Sequence, residues 1–437
     1  MSVAALMFPL LFLFVLAGIP IALSLTIVSA GAGLLAFGPN VFGQLYGSFY
    51  SAATNFILAA IPMFVLMGAV LERSGIAERL FKVMQIWLGR LPGGLAVATI
   101  AMGAVFAAAA GVVGAVEVMI GMMAIPAMQR FRYSNSLISG TICAGGSLGT
   151  MIPPSVIAVM YASLAQMSVG ELLAGMMLPG LVMVLLFIAY LMVHGTLWPP
   201  ERTELQDEIE DISLAEKLRL TITSLVPIVA LIFAVLGSLL AGVASPTEAA
   251  SVGAVGALLL CVAYGRFSVT MLRESLQITV RISAMILLIV AAGTMFMGTF
   301  AANGGSRLIR SSVEAVGMGD AGIIIFFLLI VFLLGFVLDW TANVLICVPL
   351  FTPIIRQTGI DPVWFGTMVI IVIQTSYLTP PMASSIFYLK SIAPPDMTYG
   401  QMCRGVVPFI ILQILTLALV AFYPPLSTWL PDQIVGF

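Results

Sequence analysis

Pro153 and Pro154 stand side by side inside an apolar run that would otherwise make one long helix. No α-helix passes unbroken through such a pair, because each ring removes a backbone donor and clashes with the preceding turn. The stretch Gly145–Ser155 reads Gly-Gly-Ser-Leu-Gly-Thr-Met-Ile-Pro-Pro-Ser. A counterpart lies far downstream at Gln374–Ser385: Gln-Thr-Ser-Tyr-Leu-Thr-Pro-Pro-Met-Ala-Ser-Ser. What these breaks mean depends on their surroundings. Hydrophobic residues make up 61% of the chain and charged residues only 8%, with mean hydropathy +1.16. A soluble domain carries about 25% charged residues, so the composition places this chain in a bilayer. There a broken helix exposes carbonyls at membrane depth, which is tolerated only where they line a cavity or hold a ligand.

The remaining apolar runs give the expected layout. Two segments fill the first 38 residues, divided at Gly18-Ile19-Pro20, and a third covers about Asn55 to Leu71. The N-terminus lacks a basic region and a small-residue cleavage site, so it reads as a retained helix rather than a leader. Glu72–Arg90 is charged and amphipathic, which suits a helix lying along the interface. Leu91–Met128 is apolar except for Glu117 and is bounded by Arg90 on one side and Arg130 and Arg132 on the other. That predicts a hairpin entered and left from one face, bending at Ala110–Gly114. The first broken segment follows, and then a span to about Met192. Pro199–Arg219 is the single stretch with a soluble composition. After it come spans at about Leu220–Ala241, Ala249–Tyr264 and Ile282–Ala302, and then a polar stretch with Arg307, Arg310 and Glu314. A second candidate hairpin at Ile323–Ile355 bends near Gly335–Asn343. The second broken segment and a last span, Gly405 to Tyr423, complete the order.

This order is a duplication. At an offset of 227, Pro126 falls on Pro353, Pro153 and Pro154 on Pro380 and Pro381, and Tyr161 on Tyr388. At an offset of 230, Gly68, Gly75, Met167, Gly170 and Gly175 fall on Gly298, Gly305, Met397, Gly400 and Gly405. The predicted units are residues 1–192 and 220–437, each holding scaffold helices, an arm, a hairpin and a broken helix, joined by a charged cytoplasmic linker at 193–219. Basic residues near helix ends favour the cytoplasm. With the N-terminus outside, 14 of the 17 Lys and Arg residues lie inside, and only Arg307, Arg310 and Arg356 lie outside. The first hairpin then opens from the cytoplasm and the second from the periplasm, so the two units are inverted copies. That is the pattern of secondary transporters with a midplane site between the repeats. The expected fold is an all-α polytopic membrane protein with inverted repeats, two helical hairpins and two broken helices.

Carbonyls and hydroxyls at a break suit a hard monovalent cation, and half-helix N-termini suit an anion. Only Glu117 and Asp339 lie deep, one per hairpin; such residues face a cavity or cap local N–H groups at a bend. Glu248, in Ser245-Pro246-Thr247-Glu248, reads as an ordinary helix start. Cys143, Cys261, Cys347 and Cys403 have no metal or redox spacing and read as packing residues. His194 reads as interfacial, as do Tyr161 and Tyr388 at helix ends. No nucleophile stands at helical spacing from a base, so an enzyme is not expected.

Over nearly its whole length the chain resembles the large membrane subunit of tripartite ATP-independent periplasmic (TRAP) transporters. The motifs that carry the resemblance are Gly149-Thr150-Met151-Ile152-Pro153-Pro154-Ser155, Ser245-Pro246-Thr247-Glu248-Ala249-Ala250, Leu338-Asp339-Trp340-Thr341-Ala342, Gly359-Ile360-Asp361-Pro362 with Phe365-Gly366, and Leu378-Thr379-Pro380-Pro381. The resemblance implies sodium-driven uptake of a small organic anion, a carboxylate or sulfonate, across the bacterial inner membrane by an elevator motion. It also implies two partners: a small four-helix membrane subunit, and a periplasmic binding protein that delivers the substrate. Carried over by motif, one sodium site uses carbonyls of Gly149, Ile152 and Pro154 with Val112 of the first hairpin. The second uses Ser376, Thr379 and Met382 with Gly335. Gly111, Gly114, Glu117, Ser155, Asp339, Asn343 and Ser384 are the candidates for facing the anion. At the first hairpin tip, Ala110-Gly111-Val112-Val113 replaces the Ser-Gly-Ser-Ser run of many members, so any sodium contact there must come from main-chain carbonyls. The runner-up expectation is a related elevator transporter that works without a binding protein.

Overall fold

The computed structural model describes residues 3–110, 113–199, 213–305, 307–308, 311 and 319–435, and every regular element among them is helical. The first half begins with α1 (Val3–Leu16), α2 (Ile21–Phe37), α3 (Val41–Ala53), α4 (Ala60–Arg73) and the amphipathic α5 (Ile76–Leu88). A hairpin of α6 (Gly94–Ala110) and α7 (Val113–Arg130) follows. Next comes a helix in two pieces, α8 (Asn135–Ser147) and α9 (Val156–Ala165), and then the long α10 (Val169–Leu197). The second half begins with α11 (Leu214–Leu240), α12 (Pro246–Ala263) and α13 (Val269–Ala302). It then repeats the order: a hairpin of α14 (Asp320–Leu334) and α15 (Trp340–Thr358), a two-piece helix of α16 (Pro362–Leu378) and α17 (Ser384–Lys390), and the long α18 (Tyr399–Phe422). A short α19 (Pro425–Val435) closes the described chain.

Length separates two kinds of helix. Among the described residues, seven helical stretches are long and apolar enough to cross a bilayer: 21–53, 56–73, 169–197, 214–240, 246–263, 269–302 and 399–422. The hairpin leg α14 and the broken-helix pieces α9 and α16 are apolar but fall short of that length. At 1.5 Å per residue, ten to seventeen residues reach about 15–25 Å, less than the hydrocarbon thickness of about 30 Å. Their ends therefore lie inside the layer, and they have to be covered by other helices.

Helix starts away from these inner ends are chemically explicit. Ser134, Ser168, Ser213, Ser268, Asp361 and Thr398 each accept an N–H from the third residue of the helix they open, satisfying a donor that the helix cannot. Ser245 and Glu248 form a reciprocal capping box, so Glu248 is the structural helix-start residue expected of it. The exposed faces are apolar, as lipid requires: Val252, Val255, Leu259 and Val262 make one outward stripe on α12.

Inside, the halves interlock. The central contact is α8 against α18, where Gly140 and Gly405 bring the two backbones together; a Cβ on either would overlap the other helix's carbonyls. Outside this core, α4 packs on α12 and α2 on α13.

Four expectations shift. Gln374–Leu378 is helix rather than break, so the second interruption spans only 379–383. In the first, helical turns run on through a short 3-10 stretch to Thr150. The span expected from Ile282 begins at Val269, because Ser268 caps it and the basic residues Arg273 and Arg281 continue its turns. Tyr161 is no interfacial anchor: it is 3% exposed and packs where Gly366 leaves room for its ring. Of the predicted linker, residues up to Leu197 continue α10 and those from Leu214 begin α11; residues 200–212 lie outside the described residues, as do Arg310 and Glu314.

Candidate cation and substrate site

The breaks create acceptors by subtraction. In a continuing helix, residue 153 would donate to the carbonyl of Gly149 and residue 154 to that of Thr150; both are prolines and donate nothing. The structure returns a donor to Thr150 alone, from Ser155 Oγ at 2.8 Å. The Gly149 carbonyl has no such substitute among the bonds of the described residues. The Pro153–Pro154 peptide is cis, and Ile152 is tied back by its own N–H to Leu148 O at 2.8 Å. Ser155 spends its hydroxyl inside the break, so it holds the loop and has no donor left over for an anion. Its backbone opens α9, whose first N–H groups point back into the interruption.

At the second break Pro380 and Pro381, again joined by a cis peptide, remove the donors for Ser376 O and Tyr377 O. Thr379 N supplies one to Ser376 O at 3.1 Å; Tyr377 O has no replacement among the bonds outside the helices. Ser376 Oγ donates to Val372 O at 2.9 Å and Thr379 Oγ1 to Thr375 O at 2.7 Å. Each hydroxyl proton is thus consumed within its own helix, which leaves the oxygen lone pairs free to face a cation. Gly335, at the turn of the second hairpin, sits directly against Ser376; a Cβ there would overlap that side chain. The structure therefore brings together Gly335 and Ser376, which lie 41 positions apart in the chain (376 − 335). Met382 lies in the loop beyond and is partly exposed. In the first hairpin the corresponding tip residues, Gly111 and Val112, lie outside the described residues. Gly114 packs against the ring of Tyr388 on α17.

The two deep carboxylates take different positions. Asp339 caps α15, accepting from Thr341 N at 3.2 Å and Ala342 N at 3.4 Å. Its neighbour Asn343 is buried and donates to Val331 O at 2.8 Å, pinning the legs of the second hairpin, while its Oδ1 accepts from Cys347 Sγ at 3.2 Å. The amide nitrogen and oxygen of Asn343 are thereby both engaged within the hairpin. Glu117, on α7, is fully buried and lies between α8 and α17. Its stem rests on Gly146, where any larger residue would collide with it. One carboxylate oxygen accepts from Ser385 Oγ. Ser384, the residue expected to matter, is half-exposed at the start of α17, one position away.

Four polar residues in this region were not singled out as site residues in the sequence. Ser147 Oγ receives Gln374 Nε2 at 3.2 Å and Gln413 Nε2 at 3.5 Å, and itself donates to Ala144 O at 2.8 Å. Ser147, Gln374 and Gln413 form a buried polar hub that joins both broken helices to α18, whereas Ser385 bonds to Glu117 and to the Cys143 carbonyl. An amide in the middle of the apolar run 405–423 was the available signal for Gln413. Among the described residues no group of three or more His, Cys, Asp or Glu could hold a metal ion, and the four cysteines are unpaired packing residues.

Comparison with known proteins agrees with this architecture. Residues 8–426 match the family model "Tripartite ATP-independent periplasmic transporter, DctM component". The chain is 28% identical to the C4-dicarboxylate TRAP transporter large permease protein DctM of Pseudomonas aeruginosa, covering 93% of each. It is 27% identical to the sialic acid TRAP transporter large permease protein SiaM of Vibrio cholerae, covering 96% of each. Among solved structures, the Alcanivorax borkumensis YdaH transporter superposes with a TM-score of 0.62 at 15% identity, over 96% of this chain and all of that one. This likeness concerns the fold.

Proposed function

The chain belongs to the DctM-component family of tripartite ATP-independent periplasmic transporters, and on that premise we propose that it is the membrane-spanning large subunit of a sodium-coupled importer of small organic anions. It is a transporter permease subunit and not an enzyme. In this reading the two hairpins and two broken helices form the moving unit, and α1–α5 with α11–α13 form the scaffold of an elevator. A small four-helix membrane subunit and a periplasmic binding protein complete the system in the bacterial inner membrane, with the N-terminus in the periplasm. Relatives named for C4-dicarboxylate, sialic acid and isethionate support an organic anion, of the carboxylate or sulfonate class.

The observation that carries the sodium reading is the second break. Ser376 and Thr379 turn their hydroxyl protons into their own helix, Pro381 strips Tyr377 O of its donor, and Gly335 closes the same spot from the opposing hairpin. Oxygen acceptors without donors are what a hard monovalent cation needs and what an anion does not. The first break repeats the logic at Gly149.

The test needs no substrate. The purified protein in detergent should melt at a higher temperature in sodium chloride than in choline chloride of matched ionic strength, because a ligand of the native state stabilises it by mass action. Thr379→Ala should need about tenfold more sodium for the same shift, a loss of about 1.4 kcal/mol. Equal melting in both salts, or an unchanged sodium response in Thr379→Ala, would leave Thr379 as a helix-break residue only.

A further inference from the structure

Glu117 is a deep carboxylate whose chemistry the sodium reading does not use. It is 0% exposed, and its Oε2 has no hydrogen-bond partner among the described residues. Among the described residues no basic side chain forms an ion pair with it. The titratable groups that face it are Cys143 on α8, Tyr377 on α16 and Tyr388 on α17, with Asp339 of the second hairpin beyond the two tyrosines. None of these is basic. Leg α6 contributes no titratable side chain, Glu72 at the end of α4 pairs with Arg73, and Glu78, Arg79 and Lys82 of α5 point outward. A carboxylate in such a place, with one hydroxyl donor for two oxygens, costs several kcal/mol relative to a neutral group.

We propose that Glu117 is a proton-binding site of the moving unit, taking up and releasing a proton during the transport cycle in addition to the coupling cation. The hydrogen bonds around it are reversible in the way this requires. Without the proton, Ser385 Oγ donates to Glu117 Oε1. With it, the Glu117 O–H donates to Ser385 Oγ, and Ser385 turns its own proton to the Cys143 carbonyl, which stands at 3.4 Å. The only covalent change is one O–H bond made at the carboxyl and one broken at a hydronium ion, which is left as water. A metal cation fits less well. It needs several oxygens and a void of at least water size, whereas Oε2 has no accessible surface and the stem of Glu117 rests on the bare backbone of Gly146. A proton needs neither. The switch spans both halves: its state decides whether α17 is tied through Ser385 to α7 alone or to α7 and α8 together.

The test is spectroscopic and independent of the sodium melting experiment. Infrared spectra of the full-length protein in lipid nanodiscs at neutral pH should contain a carboxylic-acid C=O band that Glu117→Gln removes. Ser385→Ala, which deletes the acceptor, should shift that band to higher frequency. If Glu117→Gln fails to fold, the Ser385→Ala shift decides the question by itself. A wild-type minus Glu117→Gln difference showing carboxylate bands alone would overturn the proposal, as would an acid band indifferent to Ser385→Ala.

Discussion

Asp339 illustrates how a residue in the right place can have a plainer task than its position suggests. Its two carboxylate oxygens are engaged by Thr341 N and Ala342 N, the work of an N-cap. Replacing a capping Asp by Ala costs about 1 kcal/mol, whereas Asn caps nearly as well. Asp339→Ala should therefore lower the unfolding free energy by about that amount, and Asp339→Asn by a few tenths, measured by denaturant titration in detergent. A large loss in the Asn variant would show that the charge itself is needed. The sequence made both deep carboxylates legible, because an acid inside an apolar run has few explanations. It could not give their partners. Ser385 rather than Ser384 meets Glu117 because Ala383 adopts a left-handed φ of +32° at the end of the break. The phase of α17 is set there, and no periodicity carries across a loop of that kind. Ser147, Gln374 and Gln413 escaped for a related reason: they come from three helices, and only packing places them together.

At the scale of elements, the apolar pattern was a reliable guide to what exists and a weaker one to where it ends. Arg90 and Arg130 bounded the first hairpin correctly, since charges cannot enter the layer cheaply. The second break was placed too early, because Gln374, Thr375 and Ser376 are polar without being non-helical. Their side chains turn inward, and Thr375 and Ser376 bond to carbonyls four residues back. Close helix contacts were legible only as scattered glycines. The one at α8–α18 can be tested directly. A methyl at Gly140 meets the Gly405 backbone, which cannot yield as a side-chain tip would, and overpacking of this kind costs about 1–3 kcal/mol. Gly140→Ala should be destabilising by that much. Gly237→Ala on the outer face of α11, where nothing lies within 4 Å, should change stability by less than about 0.5 kcal/mol. Thermal melts of the two variants beside wild type would separate a packing requirement from a general intolerance of methyl groups in these helices.

For the whole molecule, the duplication read from offsets of 227 and 230 recurs as a repeated order of hairpin, broken helix and long helix, yet the halves are not independent bodies. The glycine-mediated contact of α8 with α18 crosses between them; so do α4 with α12, α2 with α13, and the Glu117–Ser385 bond. Each half alone would leave these faces open, including the buried polar hub, whose unmatched groups are costly in an apolar layer. A covalent link between the halves is a weaker requirement, because loop closure contributes only slowly with length. Chains 1–199 and 213–437, expressed together without residues 200–212, should therefore assemble, co-purify and melt as one cooperative unit in detergent. Either chain expressed alone should aggregate or melt without cooperativity. If one half instead runs as a monodisperse species with its own sharp transition, the contacts between α8 and α18 are an interface between two finished domains. The repeated breaks would then be two separate sites rather than two faces of one.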